Sequence, residues 1–271
     1  MTFYPLRTVD AEMWFDDRPG ADPATVFIHG LAASSQTFTG VINDYRLKGH
    51  RTVRPDLLGF GNSERPPEFG YTIEDHASTV IELLRSLQLD GFKVVGHSLG
   101  GAIAVLVAEA LTDRVNKIVL IEANLDPGGG GMSLPVARRS EEDYVSHGFA
   151  EDLSGFVGIP RQMMEKAAPM AVHRTSVSLV ANTQPTIRER LLSLRLPRLF
   201  IAGDRSLNES PPLPSGEVGD GLDERGIRRI VVPDAGHSMM FDNPGGFAAA
   251  VAEALGEETP IDQSDHEGGD R

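Results

Sequence analysis

Gly96-His97-Ser98-Leu99-Gly100 sets a serine between two glycines, the G-x-S-x-G spacing of a nucleophile elbow. A serine so placed can attack a carbonyl carbon once a base has taken its proton, which is acyl-transfer chemistry. The flanking residues suit that use. Phe92-Lys93-Val94-Val95 reads as a strand directly before the motif, and Gly101-Ala102-Ile103-Ala104-Val105-Leu106 opens a helix directly after it. A sharp strand-to-helix turn strains the serine backbone and tolerates no bulky neighbour, which accounts for Gly96 and Gly100. Gly101 and Ala102 then let the helix lie close to the sheet.

Acyl transfer also needs amide donors for the oxyanion and a base for the serine proton. The residue after the nucleophile supplies one amide, here Leu99. The strand Val26-Phe27-Ile28 ends in His29-Gly30-Leu31, and the amide of Leu31 is the natural second donor. His29 belongs to that turn and is read as structural. Of the eight histidines, His237 has the position of the base, because it follows the strand Arg229–Val232 and precedes the last helix. His50, His76, His97, His147, His173 and His266 lack that placement. No H-E-x-x-H or comparable spacing calls for a metal, and no motif calls for a cofactor.

These groups must be held by a sheet. Apolar, β-branched runs at Ala11–Asp16, Thr25–His29, Arg51–Pro55, Phe92–Gly96, Lys117–Glu122, Leu199–Ala202 and Arg229–Val232 alternate with helical patterns, the signature of parallel βαβ architecture. A helix is expected over Tyr71–Leu89, with Thr72 and Asp75 spaced as a capping box. Others are expected from Ser98 to about Leu111 and from Pro244 to Leu255. The alternation stops between residues 124 and 186. That stretch opens with Asp126-Pro127 and four glycines and continues in amphipathic helical pieces, which reads as a helical insertion lying over one end of the sheet. Residues 1–123 and 187–256 are then the core. The polar segment 257–271 reads as a disordered acidic tail.

Composition sets the outer bounds. The 271 residues include 39 acids and 25 bases, for a formal net charge of −14, which argues against a nucleic-acid partner. Six of those acids fall within residues 257–271, so the charge is not a property of the site. Cysteine is absent, which excludes a thiol nucleophile and leaves Ser98 without a competitor. The N-terminal residues do not read as a signal peptide, and no apolar run approaches the length of a membrane span, so a cytoplasmic protein with a small-molecule substrate and no membrane partner is expected. Nothing fixes the oligomeric state.

With His29-Gly30, Asp56-Leu57-Leu58-Gly59-Phe60-Gly61-Asn62-Ser63, the elbow at 96–100 and Gly236-His237, the chain resembles the α/β-hydrolase superfamily over nearly its whole length. The resemblance implies a mostly parallel eight-stranded sheet with helices on both faces and a helical cap inserted after strand 6. It implies an enzyme acting on ester bonds, of the carboxylesterase or lactonase type, since haloalkane dehalogenases and epoxide hydrolases carry aspartate where this chain has Ser98. C–C bond hydrolysis, a cofactor-free haloperoxidase, a lyase and a non-catalytic small-molecule receptor are alternatives on the same fold. Most members carry the triad acid three residues beyond a glycine after strand 7, where this chain has Ser206. Asp204 is one residue past that glycine. Glu122, at the end of strand 6, matches the position used by some haloalkane dehalogenases and by the fungal zearalenone lactonase. Glu122 is the favoured acid, with Asp204 next and Asp126 or Asp242 behind it. Met132, Phe149, Phe156, Met163, Met164 and Met239 are the candidate substrate contacts, suited to a moderately sized hydrophobic molecule, with core packing as the competing use of each.

Overall fold

The computed structural model describes residues 2–89, 91–155, 159–207 and 221–256. Eight strands make one sheet: β1 (Thr2–Pro5), β2 (Glu12–Arg18), β3 (Ala21–Ile28), β4 (His50–Pro55), β5 (Phe92–His97), β6 (Val115–Ile121), β7 (Arg198–Gly203) and β8 (Arg228–Val232). Their order across the sheet is β1-β2-β4-β3-β5-β6-β7-β8. β2 runs antiparallel to β1 and β4, and every pairing from β4 onward to β8 is parallel. The mostly parallel eight-stranded α/β sheet is therefore present. The seven strands read from apolar runs all occur with shifted ends, and β1 is the one those runs do not show.

Side chains leave each central strand alternately to two cores. Val26, Ile28, Val94, Ile118, Leu120 and Phe200 enter one, and Phe27, Val95, Val119, Ile121 and Ile201 enter the other. Both faces are covered, so these strands are apolar at nearly every position. The first core is closed by α1 (Ile73–Ser86) and α2 (Leu99–Ala110). In α1 the Thr72 hydroxyl accepts from the Asp75 amide at 3.0 Å, and the Asp75 carboxylate accepts from the Thr72 amide at 3.1 Å, completing the capping box. The helix starts at Ile73 rather than Tyr71 because Tyr71 has a φ of +57°, which no helical turn accommodates.

Between β6 and β7 the described residues of 124–186 contain helices and no strand. They include α3 (Ser133–Ala137) and α4 (Pro169–Ala181), and α5 (Ile187–Ser193) follows. Within the glycine run, Gly128 and Gly129 have φ of +109° and +66°, so the run is a tight turn. The segment is fastened to the loop after β4. The Arg174 guanidinium donates to the Pro67 carbonyl at 2.7 Å and the Phe69 carbonyl at 3.0 Å while pairing with Glu141, and the Ala168 amide donates to the Gly59 carbonyl at 2.8 Å. The Thr175 hydroxyl donates to the Tyr71 carbonyl at 3.0 Å. The last helix, α6 (Pro244–Leu255), covers the second core, and Lys93 and Lys117 donate to its terminal carbonyls at Leu255 and Ala254, both at 3.0 Å. No helix among the described residues is long and apolar enough to cross a membrane. The acidic segment 257–271 lies outside the described residues.

The close approach of α2 to the sheet has a measurable cost if disturbed. A Cβ at Gly100 would run into the backbone carbonyl oxygens of Ile28 and His29. Gly100→Ala is expected to destabilise the protein by about 3 kcal/mol, the upper end of an overpacked core. Its urea midpoint should fall accordingly, and an unchanged midpoint would mean that α2 can back away from β3.

Candidate active site

The site is assembled where five neighbouring strands of the sheet end, β3, β5, β6, β7 and β8. β5 turns into α2 at Ser98, whose φ of +54° and ψ of −119° put it in a region that side chains rarely adopt. The turn is held by its own backbone: the Ser98 amide donates to the Ile121 carbonyl at 2.9 Å, and the Ser98 carbonyl accepts from the Gly101 amide at 2.9 Å. Ser98 caps α2 by position, yet its hydroxyl makes no capping bond. The side chain is therefore left for other work, at the positive end of the helix dipole.

The loop after β3 lies directly against it. A Cβ on Gly30 would come within 3.0 Å of His97 Nδ1 and 3.2 Å of Ser98 Cβ, so glycine is what lets this loop approach. Among the described residues the amides of Leu31 and Leu99 donate to no protein group, which leaves two N–H donors beside the serine. His29 is fully buried below them. The Leu57 amide can only donate, so His29 Nε2 accepts from it at 2.9 Å and Nδ1–H donates to the Gly30 carbonyl at 2.8 Å. Burial lowers the pKa of His29, and its ring is a neutral strut joining two loops.

β6 is followed directly by Glu122, which has a φ of +46° and is 3% exposed. One carboxylate oxygen, Oε1, accepts from the Gly203 amide at 2.8 Å. The other, Oε2, is buried without a hydrogen-bond partner among the described residues and stands 3.5 Å from His237 Nδ1. Asp204 is used differently. Its two oxygens accept from the backbone amides of Asp234 at 3.0 Å and Ala235 at 3.1 Å, and these bonds hold its pKa below the usual carboxylate range. Through those bonds it braces the loop that carries His237. Asp242 accepts from the Gly236 amide at 2.9 Å and pairs with Arg205 at 2.8 Å, while Asp126 pairs with Arg188.

His237 is half-exposed on the side chain, and its backbone carbonyl accepts from His97 Nε2 at 2.9 Å. The two imidazole centroids are 4.9 Å apart. Burial, and then the neighbouring His237, push the His97 pKa down to about 3, so His97 stays neutral and serves as a donor to the His237 backbone. Neither this role of His97 nor the brace at Asp204 follows from residue spacing. The same is true of Asn124, whose Oδ1 accepts the Ser98 hydroxyl proton at 3.1 Å. Its position just past a strand end gives it only the appearance of a turn residue.

The apolar residues proposed to meet substrate have other occupations. Met164 lies in the first core and Met239 in the second, Met163 is buried, and Met132 and Phe149 pack half-buried against the first core. Phe149 also meets the Tyr144 ring, with centroids 6.2 Å apart. Phe156 lies outside the described residues.

The model of the alpha/beta hydrolase family matches residues 25–250, which spans the oxyanion turn, the elbow and the histidine loop. The chain belongs to that family. Other α/β hydrolases share its sequence in part. Haloalkane dehalogenase 2 of Mycobacterium bovis is 37% identical over 125 residues, covering 43% of this chain and 42% of that protein, so the match spans less than half of the relative's length. Among solved α/β-hydrolase structures, an esterase from Exiguobacterium antarcticum superposes with a TM-score of 0.77 at 20% identity, covering 94% of this chain and 99% of the other. An enol-lactonase from Burkholderia xenovorans superposes with a TM-score of 0.77 at 20% identity, covering 94% of this chain and all of the other (100%). At that identity the likeness is one of fold.

Proposed function

We propose that this α/β hydrolase cleaves a carboxylic ester or lactone of a moderately sized hydrophobic molecule through a Ser98–His237–Glu122 triad. The observation that carries the reading is the partnerless Oε2 of buried Glu122, 3.5 Å from His237 Nδ1. A buried carboxylate oxygen without a donor is costly unless something supplies one, and an imidazolium Nδ1–H at that position does so. Ser98 attacks the carbonyl carbon as His237 takes its proton. The oxyanion is held by the amides of Leu31 and Leu99. The alcohol leaves with the proton returned by His237, and water then releases the acyl group by the same route. The esterase and lactonase among the fold neighbours are consistent with this chemistry, and Ser98 in place of an elbow aspartate argues against dehalogenation. Met132 and Phe149 are the apolar candidates that keep surface to offer a substrate.

A fluorophosphonate probe tests the nucleophile, and a panel of p-nitrophenyl esters and lactones of graded size tests the substrate class. The wild type should be labelled once, at Ser98, and turn over at least one acyl series, while Ser98→Ala should lose both. Labelling without turnover of any ester or lactone would overturn the hydrolase reading.

A further inference from the structure

A hydroxyl has one proton, and in this structure that proton is given to Asn124 and not to the base. Among the described residues no hydrogen bond joins Ser98 Oγ to His237. The Asn124 carboxamide is half-buried, and its backbone amide also donates to the Ser98 carbonyl at 3.4 Å, so side chain and main chain together seat it on the elbow. Glu122, with its φ of +46°, turns the chain at the end of β6, and Ala123 then packs on Gly101 of α2. Asn124 is thus built into the same turn as the proposed acid.

We propose that Asn124 is a positioning residue that parks the Ser98 hydroxyl in the substrate-free protein, so that the nucleophile must leave Asn124 Oδ1 before His237 can activate it. This rests on the reading of Ser98 as nucleophile. Parking stabilises only the free enzyme. It therefore slows every reaction of Ser98 with an incoming electrophile by the same factor, whatever the leaving group, and leaves release of the acyl group untouched. A neutral hydrogen bond of ordinary strength corresponds to about a five-fold factor. The device keeps the serine quiet until a bound substrate offers a better arrangement.

The test uses two substitutions with opposite expected directions, read by stopped-flow labelling with a small alkyl fluorophosphonate. In that reaction the Ser98 Oγ–P bond forms, the P–F bond breaks, fluoride leaves and the serine proton passes to His237. Asn124→Leu keeps the size and removes the acceptor, and its labelling should be about five-fold faster than wild type. Asn124→Asp offers a stronger, charged acceptor and places negative charge beside the developing oxyanion. Its labelling should be at least about ten-fold slower at pH 8 and should recover relative to wild type as the new carboxyl is protonated. In steady state, Asn124→Leu should raise kcat/KM by the same factor for esters with different leaving groups, with kcat unchanged where deacylation limits. A purely structural role would slow both variants and give no relative recovery in acid, and either equal labelling rates or slowing of both would overturn the proposal. A wild type that is not labelled at all would instead overturn the nucleophile assignment, which separates the two failures.

Discussion

Glu122→Gln is expected to lower kcat by about four orders of magnitude with little change in KM, the size of loss seen when a triad carboxylate becomes an amide. The geometry says why an isosteric change should matter so much. Oε1 of Glu122 accepts from the Gly203 amide, so a glutamine must keep its carbonyl oxygen there. Its NH2 group then takes the place of Oε2, facing His237 Nδ1 across 3.5 Å. A donor there makes Nδ1 an acceptor and moves the ring proton to Nε2, where the imidazole can no longer receive the serine proton. Asp204→Asn should behave differently. One of its two backbone bonds, to Asp234 or Ala235, would meet an NH2 in place of an oxygen. The histidine loop loosens, and kcat should fall by about ten-fold or less, together with some loss of stability. Steady-state kinetics of both variants on one substrate decides the matter. A larger loss in Asp204→Asn would move the acid to the β7 loop.

Acid is expected to unfold this protein earlier than carboxylate titration alone would. His76 and His97 are buried and have pKa values pushed down to about 3, chiefly by loss of solvent, and His29 is lowered by the same cause. His76 donates from Nε2 to Thr175 at 3.1 Å, since the Thr175 hydroxyl proton is committed to Tyr71, and its Nδ1 has no partner among the described residues. The folded protein keeps these rings neutral, whereas the unfolded chain protonates them near pH 6.5. The unfolded state therefore binds more protons between about 6.5 and about 3, and stability falls as pH falls through that window. Each such histidine contributes at most about 1.4 kcal/mol per pH unit well inside it. Urea midpoints should drop steeply between pH 6.5 and 5, and His76→Gln, which can still donate to Thr175, should show a shallower slope. Midpoints flat from pH 7.5 to 5 would mean that water reaches these rings.

What could be read in the residues, and what could not, divides along the range of the interactions. The elbow is local: strand, glycines and helix are contiguous, so Ser98 and its turn are legible without the fold. The central strands are legible because burial on both faces leaves them apolar throughout. β1 escapes notice because Thr2–Pro5 is a short edge strand, paired on one side only, exposed along most of its length and ended by proline. The competing carboxylates are the instructive case. Glu122 and Asp204 each follow a strand at the same sheet edge, and nothing in their spacing tells which faces the imidazole. The difference lies in Gly203, where a Cβ would strike the Ala235 carbonyl; that close approach sets the histidine loop beside the end of β7, with Glu122 Oε2 3.5 Å from His237 Nδ1 while Asp204 accepts from the loop's amides. Asn124 depends likewise on a side-chain contact between the ends of β5 and β6.

The fastening of residues 124–186 bears on engineering. Arg174, Ala168 and Thr175 reach the main chain of Gly59, Pro67, Phe69 and Tyr71, and the Arg65 guanidinium answers from the other side by donating to the Lys166 carbonyl at 2.7 Å. Most of these bonds read backbone shape, so they tolerate changes of residue type but not changes of loop path. A chimera that imports a foreign helical segment at the β6–β7 junction alone would land it on a seat cut for another partner. The transplantable unit is discontinuous, and stretch 59–76 has to travel with stretch 124–186.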